Sequence, residues 1–203
     1  TTDAGDMVLE ADSDNAVDTL VTGDRIYFNG ARTLTSAGDL TVDATTNKIS
    51  GTSTLDFAAA GNIFLNDSVT ALVSLFITAN SDALENGDFN LDSGVELNSG
   101  GGQISIEAND INLLGTINAG IGDLFLWTSD GGSIGLGDVT GQGMSISGAE
   151  LQNITASEFH LGHVNSGNII VNGITSVNSA NITDRVLLQA NGDGKSVTFN
   201  ETS

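Results

Sequence analysis

Apolar and polar residues alternate with a period of two in short bursts along the chain. Residues 103–107 show it plainly: Ile104 and Ile106 fall on one side, Gln103, Ser105 and Glu107 on the other. That alternation is the mark of a strand with one buried face. The bursts share an opening. A glycine and a polar residue precede an apolar–x–apolar triplet, as in Gly5-Asp6-Met7-Val8-Leu9, Gly38-Asp39-Leu40-Thr41-Val42 and Gly61-Asn62-Ile63-Phe64-Leu65. Further copies begin at Gly23, Gly87, Gly102, Gly122 and Gly167, with a shortened one at Gly143. Successive glycines of this set lie 18, 15, 23, 26, 15, 20, 21 and 24 residues apart.

A period near twenty marks a solenoid, whose single repeat cannot bury its own apolar face. The Leu-x-x-Leu-x-Leu frame of leucine-rich repeats is missing, so the repeat is built of strands. The expected fold is all-β: a right-handed parallel β-helix (β-solenoid) of about ten coils of roughly 20 residues. Asn29-Gly30, Asn86-Gly87, Asn172-Gly173 and Asn191-Gly192 supply tight bends, because Asn and Gly tolerate positive φ. Residues 15–21 and 81–86 could form short helices, both too short to be stable alone. With no internal linker, residues 1–203 read as a single domain, a processed product or a section of a longer chain.

Composition agrees with many short strands and turns. Among 203 residues there are 26 Gly, no Pro and no Cys, and aromatics make up 5%. An interior rung bonded on both sides has no place for Pro, which lacks the N–H donor. No apolar run reaches the roughly 18 residues of a membrane span. Acidic residues number 26 against five Lys and Arg, a formal net charge of −21. Such a surface repels nucleic acid and anionic membranes, so neither is an expected partner, and it favours loosely held cations.

Two segments resemble a known family. Ile146-Ser147-Gly148-Ala149-Glu150-Leu151-Gln152-Asn153-Ile154-Thr155-Ala156 and Ser166-Gly167-Asn168-Ile169-Ile170-Val171-Asn172-Gly173-Ile174 are similar to the repeat regions of filamentous-haemagglutinin-like bacterial exoproteins of the two-partner secretion type. The resemblance covers the C-terminal two thirds, and the first sixty residues by composition alone. It implies a right-handed parallel β-helix, export to the bacterial surface or beyond, and a role in adhesion or matrix formation.

Candidate chemistry is sparse. His160 and His163, with Glu158 nearby, form the only histidine cluster. Two imidazoles fall short of a zinc set of three or four ligands, and on a strand this pair would face opposite sides. Asp12 and Asp14 open an EF-hand-like run that lacks its Gly and terminal Glu, and Asp193 sits in a lone Asn-Gly-Asp-Gly. These three residues are the weak Ca2+ candidates; no other cofactor is expected. Asp39 with Asp43, Asp88 with Asp92, and Asp123 with Asp130 could pair as in glycosidases, but a chain this acidic produces pairs by chance. Neither a Gly-x-Ser-x-Gly elbow with partners nor a P-loop occurs. Trp127 and Tyr27 are the single residues of their kind, either core or sugar-stacking platforms.

The expected function is therefore non-catalytic: a structural or adhesive component of a bacterial surface or extracellular matrix. The alternative is a carbohydrate-binding or carbohydrate-cleaving β-helix. Solenoid ends expose unpaired backbone and core. Met7, Val8 and Leu9 in the first coil, and Val186, Leu188, Val197 and Phe199 in the last, are the candidate surfaces for head-to-tail assembly into a fibre. The expected partners are a second copy of the chain, or a glycan or protein of a cell surface.

Overall fold

A computed structural model describes residues 5–11, 25–44, 49–84 and 87–200. The chain passes through short strands in groups of three. The first group is β1 (Met7–Glu10), β2 (Ile26–Phe28) and β3 (Arg32–Ser36). Next come β4 (Leu40–Asp43), β5 (Ile49–Gly51) and β6 (Leu55–Ala59). The third is β7 (Ile63–Leu65), β8 (Val69–Ala71) and β9 (Ser74–Thr78). The fourth is β10 (Phe89–Leu91), β11 (Glu96–Asn98) and β12 (Gln103–Ala108). The fifth is β13 (Ile111–Leu113), β14 (Thr116–Asn118) and β15 (Leu124–Thr128).

The sixth group departs from the rule. It holds β16 (Ile134–Gly137), β17 (Met144–Ile146), a five-residue helix α1 (Gly148–Gln152) and the long β18 (Ile154–Leu161). After it come β19 (Ile169–Asn172) and β20 (Ile182–Leu188), and β21 (Val197–Phe199) begins another group.

Every strand pairing among the described residues is parallel. One face runs β1-β4-β7-β10-β13, a second begins β2-β5-β8-β11-β14, and a third begins β3-β6-β9-β12-β15. The second and third faces meet in β18, which pairs with both β14 and β15, so twelve strands form one continuous sheet. The chain is almost wholly β, as the alternation requires, and its strands are parallel, as stacked repeats require. Side chains of equal register stack into inward columns. Leu55, Leu75, Ile104, Leu124 and Phe159 form one, and Phe57, Ile77, Ile106, Leu126 and Leu161 another. All ten are essentially inaccessible to solvent.

The expected ten coils of roughly 20 residues need correction. On the third face, register partners advance by 23, 20, 29, 20, 35 and 27 residues. The described residues thus make seven passes and the start of an eighth. The glycine motif opens strands on more than one face: β1, β4, β7 and β10 on the first, but β12 and β15 on the third. Intervals between unlike faces were mixed with intervals between like ones, which shortened the apparent period.

The motif itself has a physical basis. Asp6 Oδ1 accepts the Asp39 N–H at 2.8 Å, and Asp39 Oδ1 accepts that of Asn62 at 2.7 Å. Asn62 Oδ1 accepts from Asp88 N at 2.9 Å, Asp88 Oδ1 from Asp110 N at 3.1 Å, and Asp110 Oδ1 from Ser145 N at 3.0 Å. The first four Asx side chains cap the backbone N–H just before the next strand of the same face, and Asp110 reaches the middle of β17 instead. The last of these bonds sets β17 beside β13. A Cβ at Gly38 would collide with the Asp6 carboxylate and one at Gly61 with that of Asp39, so these two positions must stay bare.

The ladder has an electrostatic cost at its end. Burial pushes the Asp110 carboxyl above its usual 3.8, against the bonds from Ser145 and Ile111 and with help from Asp88 and Glu150. A raised acid pKa penalises folding above that range, and the penalty fades as pH falls through the folded value. Asp110→Asn keeps the Oδ1 acceptor, as Asn62 already does, and removes the charge. It is expected to raise Tm at pH 7 by about 2–4 °C, partial exposure holding the gain to about 1 kcal/mol or less. The gain should shrink in melts below pH 3.8.

Residues 15–21 lie outside the described residues. Of 81–86, the described Ser81–Leu84 form turns rather than a helix. The helix that does form, α1, begins at a reciprocal capping box. Ser147 Oγ accepts the Glu150 N–H at 3.2 Å, and Glu150 Oε2 accepts that of Ser147 at 2.8 Å. Its one buried residue, Leu151, closes over the core.

Candidate functional site

The third face turns one set of side chains outward. Register places Phe76, Ser105, Phe125, His160 and Leu187 in one outward column. Thr78, Glu107 and Trp127 form the neighbouring one. The Phe125 and His160 rings stack at 4.3 Å between centroids, 27° from parallel, and Trp127 meets His163 at 5.5 Å. His160 and His163 therefore do not face opposite sides. β18 ends at Leu161, and Gly162 at φ +89° turns the chain so that His163 returns to the outward aromatic column. The aromatic rings lie against side chains of adjacent coils, which is how a ladder rung is stabilised. Tyr27 is exposed with the Arg25 guanidinium 5.8 Å above its ring.

A polar cluster borders this column. Glu158 Oε2 lies 2.8 Å from His160 Nε2 and accepts a hydrogen bond from Arg185 Nη2, also at 2.8 Å. Asp123 Oδ1, one coil earlier, accepts the Glu158 N–H at 3.3 Å. One donor atom each of Asp123, Glu158 and His160 lie within 4.8 Å of one another. Partial desolvation pushes the Glu158 carboxyl up, but the hydrogen bonds from Arg185 and His160 outweigh it, and the net shift is below the usual 4.5. Between Ala156 and Glu158 the register against β20 slips. Such a bulge re-aims the side chains that follow it.

The other residues singled out in the sequence are scattered. Asp12 and Asp14 lie outside the described residues, and Asp193 is exposed in a turn. Asp39 and Asp88 are spent in the Asx ladder, Asp43 accepts from Asn66 Nδ2 at 3.0 Å, and Asp130 accepts from Gly132 N at 2.7 Å. Met7, Val8 and Leu9 occupy the edge strand β1, with Val8 exposed. Val186, Leu188, Val197 and Phe199 lie in β20 and β21 at the opposite end of the stack.

Asp123 and Arg185 escaped the sequence reading as partners of Glu158 because they are 35 and 27 residues away along coils of unequal length. Glu158 and His160 were within reach, since i and i+2 share a strand face.

The fold and this face define an all-β, parallel-stranded chain with a polar cluster on one outer surface. No family model matches the chain. No curated protein and no solved structure matches it either.

Proposed function

We propose that the chain is a right-handed parallel β-helix acting as a non-catalytic structural and adhesive section of a secreted or surface-displayed bacterial protein, and that it stacks head to tail with a second copy. One observation carries this reading: among the described residues, the β20 and β21 end of the stack presents an apolar cleft. The inward columns that are sealed at Phe159 and Leu161 continue into Val186 and Leu188, which are only partly buried. With Leu136, Leu151, Val171 and Phe199 they line an open cleft of about 230 Å³. Among the described residues β20 pairs only with β18 and β21 only with β19. A further coil laid on these strands would satisfy their free backbone groups and cover the cleft. A contact of this kind does not close on itself and so produces an open filament.

Adhesion fits the long outward faces, and cations held loosely at acidic loops would screen a net charge of −21. Sedimentation velocity between roughly 1 µM and 0.1 mM tests the stacking. The sedimentation coefficient is expected to rise with concentration for the native chain. Leu188→Glu, which puts a charge on the cleft, should hold it at the monomer value. A native chain that stays monomeric across the range, with and without calcium, overturns the head-to-tail reading.

A further inference from the structure

The cluster beside the aromatic column has the composition of a metal site rather than of an ion pair alone. We propose that Asp123, Glu158 and His160 bind one divalent ion of the zinc class. The donor set is one imidazole nitrogen and two carboxylates, with their ligand atoms within 4.8 Å of one another. Mixed nitrogen and oxygen donors suit zinc and its neighbours, whereas calcium and magnesium prefer oxygen alone.

The ligands are positioned by features outside the cluster. Phe125 stacks on the His160 ring and fixes its plane, leaving Nε2 directed at Glu158. Glu158 and His160 alternate on one face of β18, just past the register slip. Asp123 immediately precedes β15, paired alongside. All three side chains are half-buried, Glu158 and His160 on β18 and Asp123 at the entry to β15.

Arg185 is the competitor. Its guanidinium neutralises Glu158, yet its side chain is 59% exposed and free to swing outward. An ion inserted between Glu158 and His160 would replace both the Arg185 and the His160 contacts. Three protein ligands leave a fourth position for water.

Cobalt(II) serves as the visible probe, titrated into the full chain after chelator treatment. One equivalent is expected to saturate a site with ligand-field absorption, and zinc should displace it. Arg185→Gln is expected to tighten binding by up to about fivefold, the worth of one exposed ion pair that the metal no longer has to displace. His160→Gln should abolish binding, and His163→Gln should leave it unchanged. Zinc added to the native protein should shift the imidazole proton resonances of His160 and spare those of His163. That measurement needs no variant and stands even if His160→Gln does not fold. Absent cobalt saturation in both the native chain and Arg185→Gln overturns the proposal. So does binding that survives in a folded His160→Gln, which would mark general acidic-loop affinity.

Discussion

Phe159→Ala is expected to lower the unfolding free energy by about 3–5 kcal/mol, the range for truncating a buried aromatic. Phe159 is fully buried and sits where three coils meet, between Leu124 on β15 and Val186 on β20. Its neighbours in the inward column, Leu124 and Val186, are aliphatic. The strand backbones are fixed by hydrogen bonds on both sides, which limits collapse of the cavity. A loss of this size is a large share of the roughly 5–15 kcal/mol that holds a domain folded. Urea melts followed by circular dichroism would measure it, with Phe199→Ala as the comparison. Phe199 is 70% exposed on the terminal strand, and its loss should cost about 0.5 kcal/mol or less. Equal effects at the two positions would contradict the packing described here.

Gly102→Ala is expected to be almost as damaging, for a reason unrelated to the core. A Cβ at residue 102 would land on the backbone carbonyl oxygen of Val73 in the preceding coil. Backbone cannot rotate aside as a flexible side chain can, so the coils must separate locally at the start of β9 and β12. Overpacking of this kind costs about 3 kcal/mol at the upper end of its usual range. Gly94→Ala separates steric contact from backbone preference. Gly94 has φ +84° and nothing within 4 Å of the added methyl. Its substitution pays only the left-handed backbone term, about 1 kcal/mol. The melts should rank Gly102→Ala well above Gly94→Ala in damage, and the reverse order would mean that the coils approach less closely than 102 and 73 require.

The all-β character was legible because alternation of period two survives in almost every strand, and the parallel stacking because the Gly-Asx motif recurs and one repeat cannot bury its own apolar face. Leu40-Thr41-Val42 and Ile104-Ser105-Ile106 show it without any knowledge of neighbours. The number of coils was not legible. Gly38 and Gly102 open identical local patterns, yet they stand on different faces, and only pairing distinguishes them. The helix was hidden inside the stretch that most resembled a repeat. Its signal, Ser147 followed three residues later by Glu150, was present but short. The polar cluster could be read only in part. Glu158 and His160 share a strand, whereas Asp123 and Arg185 join them through register, which the irregular loops disguise.

The Asx ladder bears on how a protein of this kind changes length. On the first face each of the four junctions from β1 to β13 carries, beside the strand ladder, one Asp or Asn oxygen meeting one backbone N–H, and Asn62 serves as well as Asp39. The joint does not read the identity of the coil beyond it. Duplicating or excising a whole winding, cut at equivalent Gly-Asx positions, therefore regenerates a proper junction at the seam. Recombination at those positions would lengthen or shorten the molecule in whole steps while keeping the bonded seam.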